Sequence, residues 1–126
     1  MVLVDTSVWI AHLRQGDQSL VELLVAGRVV CHPFVISEVA CGSLHNRNEV
    51  LRLLTALPSA PMATHEEVLW LLESERLYSR GLGWIDVHLL ASARLSNCVL
   101  WTLDKTLAGV AATSPARDAS EKTSLE

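Results

Sequence analysis

The chain has 126 residues, half of them hydrophobic, and a formal net charge of −4. That length suits one domain rather than two. No apolar run approaches the ~18 residues of a membrane span, and the opening MVLVD lacks the length and basic flank of a signal peptide, so a membrane role is excluded and a cytoplasmic protein is expected.

In chain order, MVLV is a short apolar run that stops at Asp5, as a strand buried in a parallel sheet does. Thr6 or Ser7 can cap a helix carrying Val8, Ile10 and Leu13. Gly16 and Asp17 interrupt it. Leu20, Leu23 and Leu24 then recur at helical spacing, and Gly27 is a C-terminal stop. Val29 to Cys31 reads as a second strand. Pro33 suits the first turn of a helix running roughly to Leu44. A fourth helix starts at Asn46 or Asn48. Pro58 to Pro61 connects it to a very short third strand near Met62. Thr64 and Glu67 have the spacing of a capping box, opening a helix to Ser79 that Gly81 ends. A further helix spans Ile85 to Leu95, Ser96 and Asn97 turn, Cys98 to Trp101 forms a fourth strand, and Lys105 to Ala112 a last helix. The polar stretch from Thr113 to Glu126 reads as a disordered tail, leaving 1–112 as the domain.

Strands alternating with helices predict an α/β fold of three layers: a small, mainly parallel sheet of about four strands with helices on both faces. Sites of such sheets lie outside the carboxyl ends of the strands. Asp5 ends the first strand, and Asp104 lies just past the last.

Capping explains Asp17 and Glu67, and a solvated helix face explains Glu66, Glu73 and Glu75. Four acids resist that reading because their neighbours are apolar: Asp5 after MVLV, Glu38 within FVISEVA, Asp86 between Ile85 and Val87, and Asp104 after VLWTL. Taken singly, each reads as a cap or surface group. Brought together, they could not all stay ionised without a cation. An all-oxygen set favours Mg²⁺ or Mn²⁺, which activates water and offsets charge on a phosphodiester. With these four acids and the tail set aside, basic and acidic residues nearly balance, so RNA binding needs residues such as Arg80 and Lys105 to gather locally.

Other chemistries are weaker. The three cysteines form no CxxC pair and read as reduced, buried apolar residues. Cys41 and His45 share a helical spacing, but no second pair completes a zinc site. No nucleophile-elbow motif supports a Ser–His–Asp triad. A phosphoacceptor module would show paired acids after the first strand, where this chain has DTS. A dehalogenase-like phosphatase needs an Asp where Ser7 stands. A non-enzymatic binding domain is the remaining alternative, and the complete acid set argues against it.

VDTSVWI at Val4 to Ile10, ISEVACG around Glu38, GWIDVHLLASA at Gly83 to Ala93 and LWTLDKTL at Leu100 to Leu107 together resemble the PIN-domain ribonucleases. Within them, the chain is similar to the VapC-type toxins of bacterial toxin–antitoxin pairs. The resemblance implies that Asp5, Glu38, Asp86 and Asp104 hold Mg²⁺ or Mn²⁺, with Thr6, Ser7 and Thr102 as supporting hydroxyls. It implies hydrolysis of structured RNA, either transfer RNA or ribosomal RNA, leaving 5′-phosphate and 3′-hydroxyl ends. It also implies a homodimer and a cognate VapB-type antitoxin. His88 and Trp84 are not general in that family. Trp84, just ahead of Asp86, is expected to contact RNA or the antitoxin, whereas Trp9, Trp70 and Trp101 are expected to pack in the core or at an interface.

Overall fold

The computed structural model describes residues 1–113. The polar tail predicted from Thr113 onward therefore lies outside the described residues, apart from Thr113 itself, which closes the last helix. The elements are β1 (Val2–Val4), α1 (Thr6–Gln15), α2 (Gln18–Val25), β2 (Val29–Val30), α3 (Pro33–Cys41), α4 (Arg47–Ala56), α5 (His65–Ser74), α6 (Trp84–Ser96), β3 (Val99–Trp101) and α7 (Lys105–Ala112). Among them, no helix is long and apolar enough to cross a membrane.

The sheet has three strands in the order β2-β1-β3, and both pairings are parallel. The middle strand is β1, and all three of its residues are buried. A central parallel strand covered on both faces needs such an unbroken apolar run. The third expected strand, near Met62, does not form, so three strands stand where about four were expected. Met62 is exposed, and the segment supplies one parallel bridge, Cys31 to Ser59. Pro58 and Pro61 have no N–H to donate to a ladder, which limits pairing to that bridge.

Two apolar clusters hold the layers together. One joins β1 and β2 to α1, α2, α3 and α4 through residues such as Leu3, Val8, Leu20, Val35 and Leu54. The other joins α5, α6 and α7 through Val68, Leu90 and Val110. Helix α6 serves both, giving Leu89 and Ala93 to the first and Val87 and Leu90 to the second. Burying each such Leu or Val is worth about 1.5–3 kcal/mol.

Several helix ends follow the sequence. Asp17 caps α2 by accepting from Leu20 N, Pro33 opens α3, and Thr64 and Glu67 form the reciprocal capping box of α5. Two ends fall earlier than expected. Helix α3 stops at Cys41 because Gly42 is extended, so Cys41 and His45 do not share a helix face. Cys41 is also exposed, contrary to the expectation that all three cysteines are buried. Helix α5 stops at Ser74 rather than Ser79. Arg76 turns left-handed at φ 53, its N–H reaches Glu73 O, and Leu77 N reaches back to Leu72 O. That pair of bonds is the Schellman stop, and it lets Leu77 bury its side chain.

Candidate active site

The register of β1 against β3 sets the geometry. Val4 pairs with Trp101, so the next residues, Asp5 and Thr102, emerge side by side at the carboxyl edge of the sheet. Asp5 N donates to Trp101 O at 2.9 Å, which locks them there. Asp5 is the N-cap residue of α1, yet its side chain makes no capping bond. Its Oδ2 accepts instead from Ser7 Oγ at 2.8 Å and Thr102 Oγ1 at 2.7 Å. The carboxylate is buried, and two hydroxyl donors offset part of its desolvation.

The same hydroxyls tie in the end of β3. Thr102 Oγ1 accepts from Asp104 N at 3.1 Å, and Ser7 Oγ accepts from Leu103 N at 3.0 Å. Asp104 is thereby fixed as the N-cap of α7, with Oδ1 accepting from Leu107 N at 2.9 Å. On α6, Asp86 folds back over the helix end, where Oδ2 accepts from Gly83 N at 2.9 Å. Burial pushes the Asp86 carboxyl above the usual range, and Asp5 and Asp104 push it the same way against the lowering effect of the Gly83 bond. Asp86 therefore lies within electrostatic reach of both Asp5 and Asp104. Glu38, on α3, joins through α1: Thr6 Oγ1 donates to its Oε1 at 2.7 Å.

The burial of the four acids differs from what their apolar neighbours suggested. Asp5 alone is buried; Asp86 is half-buried, and Glu38 and Asp104 are exposed. Apolar neighbours along a helix lie on other faces of it, so chain context does not report an acid's own exposure. Asp86 and Asp104 also do cap their helices, the role first reserved for Asp17 and Glu67.

As the side chains stand, no three His, Cys, Asp or Glu among the described residues close into a ready coordination cage. The donor set nonetheless fits a hard divalent ion, which commonly takes one or two carboxylates and keeps several waters. The carboxylates of Asp5, Asp104 and Asp86 would be the source of those oxygens, with the Ser7 and Thr102 hydroxyls holding Asp5. Lys105 is exposed at the first position of α7, and Arg80 is exposed in the loop before α6.

Sequence reasoning missed a line of rings beside this site. His65 meets Trp84, Trp84 meets His88, His88 meets Phe34, and Phe34 meets His32, with centroids 4.8–5.2 Å apart. Only the pair Trp84 and His88, one turn apart on α6, was visible in helical spacing. Trp70, at 70% exposure, is not a core residue, whereas Trp9 is buried.

The fold and the acidic end of its sheet define the class. The PIN-domain family matches residues 2–112, and the chain belongs to that family. Ribonuclease VapC32 of Mycobacterium tuberculosis, in strain H37Rv and in strain CDC 1551 / Oshkosh, is 51% identical to it over 115 residues, covering 90% of this chain and 93% of the relative. Within the family, the chain is of the VapC type.

Proposed function

We propose that the chain is a metal-dependent endoribonuclease toxin that hydrolyses phosphodiester bonds of structured RNA, transfer RNA or ribosomal RNA. The observation that carries this reading is the bonded set Asp5–Ser7–Thr102–Asp104 at the carboxyl edge of the sheet, electrostatically coupled to Asp86. The likeness to a protein named a ribonuclease supports it.

Asp5, Asp86 and Asp104, with Glu38 at the margin, would hold Mg²⁺ or Mn²⁺. Bound there, such an ion would activate water, orient the phosphodiester and neutralise charge developing on its oxygens. Thr102 and Ser7 hold Asp5 in one orientation and keep its charge desolvated but satisfied. Thr6, the residue after Asp5, donates to Glu38 Oε1, which supports a place for Glu38 at the margin of the set. Arg80 and Lys105 are exposed positive charges available to RNA phosphates. A homodimer acting in the cytoplasm, neutralised by a cognate VapB-type antitoxin, completes the reading.

The test is sequencing of RNA ends after brief expression, with Asp5→Asn as control. Discrete new ends with 5′-phosphate and 3′-hydroxyl are expected from the wild type and none from the variant. Purified protein should stop cleaving in EDTA and resume with added Mg²⁺ or Mn²⁺. Cleavage that survives Asp5→Asn or chelation, or cyclic-phosphate ends, would refute this mechanism.

A further inference from the structure

The line of rings has one wet end and one dry end. Trp84 is 39% exposed, His88 is 5% exposed and His32 is wholly buried. Trp84 meets His88 edge-on at 5.0 Å and 81°, and His65 at 5.1 Å and 51°. Behind them, His88 sits on Phe34 at 4.8 Å, and Phe34 on His32 at 5.2 Å. The inner end is anchored, because His32 Nδ1 accepts from Phe34 N at 2.9 Å as the cap of α3. His32 Nε2 and His88 Nδ1 are buried without a hydrogen bond, so ring packing holds this stack. An indole braced in this way has little rotamer freedom left to lose on binding.

Its position is close to the acids. Trp84 is the first residue of α6 and Asp86 the third, a rise of about 3 Å along the axis. The Asp86 carboxylate reaches back to Gly83, the residue adjoining Trp84, and lies 3.6 Å from where a Cβ would sit on that glycine. The other exposed indole is placed differently. Trp70 lines a groove of about 520 Å³ with Glu66, Glu67, Leu71 and Arg94, whereas Trp84 is flanked by imidazoles.

We propose that Trp84, braced by His65 and His88, is a stacking platform for one unpaired nucleobase next to the scissile phosphodiester, and so sets the sequence preference of cleavage. The inference rests on the ribonuclease reading above and narrows its substrate to RNA with an unstacked base at the cut. A partly exposed planar ring accepts any base but favours those that stack best.

Hairpin RNAs with randomised loops, cleaved by the wild type, Trp84→Ala and Trp84→Phe and mapped by sequencing, test it. The wild type should show a base preference at one nucleotide beside the cut. Trp84→Ala should lose about 5- to 150-fold in kcat/KM, the range of one base–aromatic stack, and flatten that preference, with Trp84→Phe in between. On the preferred substrate, an abasic residue at that position should cost the wild type the same factor and Trp84→Ala nothing further. Unchanged rate and preference in Trp84→Ala overturn the platform, and if that variant instead weakens antitoxin binding, the ring reads a protein. Equal losses on intact and abasic RNA also overturn it, because the ring then only holds the helix end. A wild type that leaves both the hairpins and total cellular RNA intact refutes the ribonuclease reading itself.

Discussion

Replacing His32 by Asn probes the buried start of α3 through its pH dependence. Burial, helped by the neighbouring His88, pulls the His32 imidazole from its ordinary 6.5 down to about 4. The folded protein thus resists a proton that the unfolded chain accepts readily. Stability from this residue is complete above about pH 6.5 and is lost as pH falls from there toward about 4. At about 1.4 kcal/mol per unit, the full loss is about 3 kcal/mol, of which about 2 kcal/mol is gone by about pH 5. Asn keeps an acceptor for Phe34 N and is among the best cap residues, but it does not titrate and leaves part of the imidazole's space empty. At about pH 8, the variant should be less stable by about 1–3 kcal/mol. At about pH 5, the gap should shrink by about 2 kcal/mol as the wild type alone loses the His32 contribution. His88 is depressed by burial and by His65 and is present in both proteins, so the change in the gap reports His32 together with its interaction with His88. Urea unfolding of both in EDTA, followed by far-UV circular dichroism at the two pH values, measures the gap. A gap that stays the same would show that His32 is not held neutral by burial.

Two further substitutions test the framework of the site and of its neighbour. Thr102→Val keeps the shape but removes the hydroxyl that donates to Asp5 and accepts from Asp104 N. Loss of such a supporting bond should weaken Mn²⁺ binding about 10- to 100-fold in calorimetric titration, and affinity equal to the wild type's would mean that the hydroxyl does not orient Asp5 for an ion. Thr64→Ala breaks the capping box ahead of His65 and should cost about 1 kcal/mol, read as a drop of a few degrees in Tm; an unmoved Tm would show that α5 gains nothing from its cap.

How much of this was legible depends on whether a signal was local. Schellman stops close α2 at Gly27 and α6 at Asn97, both residue types that enter the left-handed region easily, and both were read from the chain. The same stop at Arg76 was not, because its cause is the burial of Leu77 and not the turn residue. The apolar run of β1 announced a central parallel strand, but an additional strand was read into a segment whose prolines allow a single bridge. The ring line joins α3, α5 and α6, and no spacing within one helix announces a contact between helices.

The acids show why cap and site cannot be separated at sequence level. Asp5 is the N-cap residue of α1, Asp86 the third residue of α6 and Asp104 the N-cap residue of α7. Three helices thus direct their N-termini, each carrying partial positive charge, toward one edge of the sheet. Each such end favours a nearby carboxylate by about 0.3–1 kcal/mol, which offsets part of the burial and the smaller repulsion from Asp5 and Asp104 that keep the Asp86 carboxyl raised. The topology produces this convergence, because a parallel strand must be followed by a helix that starts at its carboxyl end. Asp5 follows β1 in this way, and Asp104 follows β3. An acid at the start of such a helix is therefore already at the carboxyl edge of the sheet, and for Asp104 the capping bond to Leu107 N fixes it there.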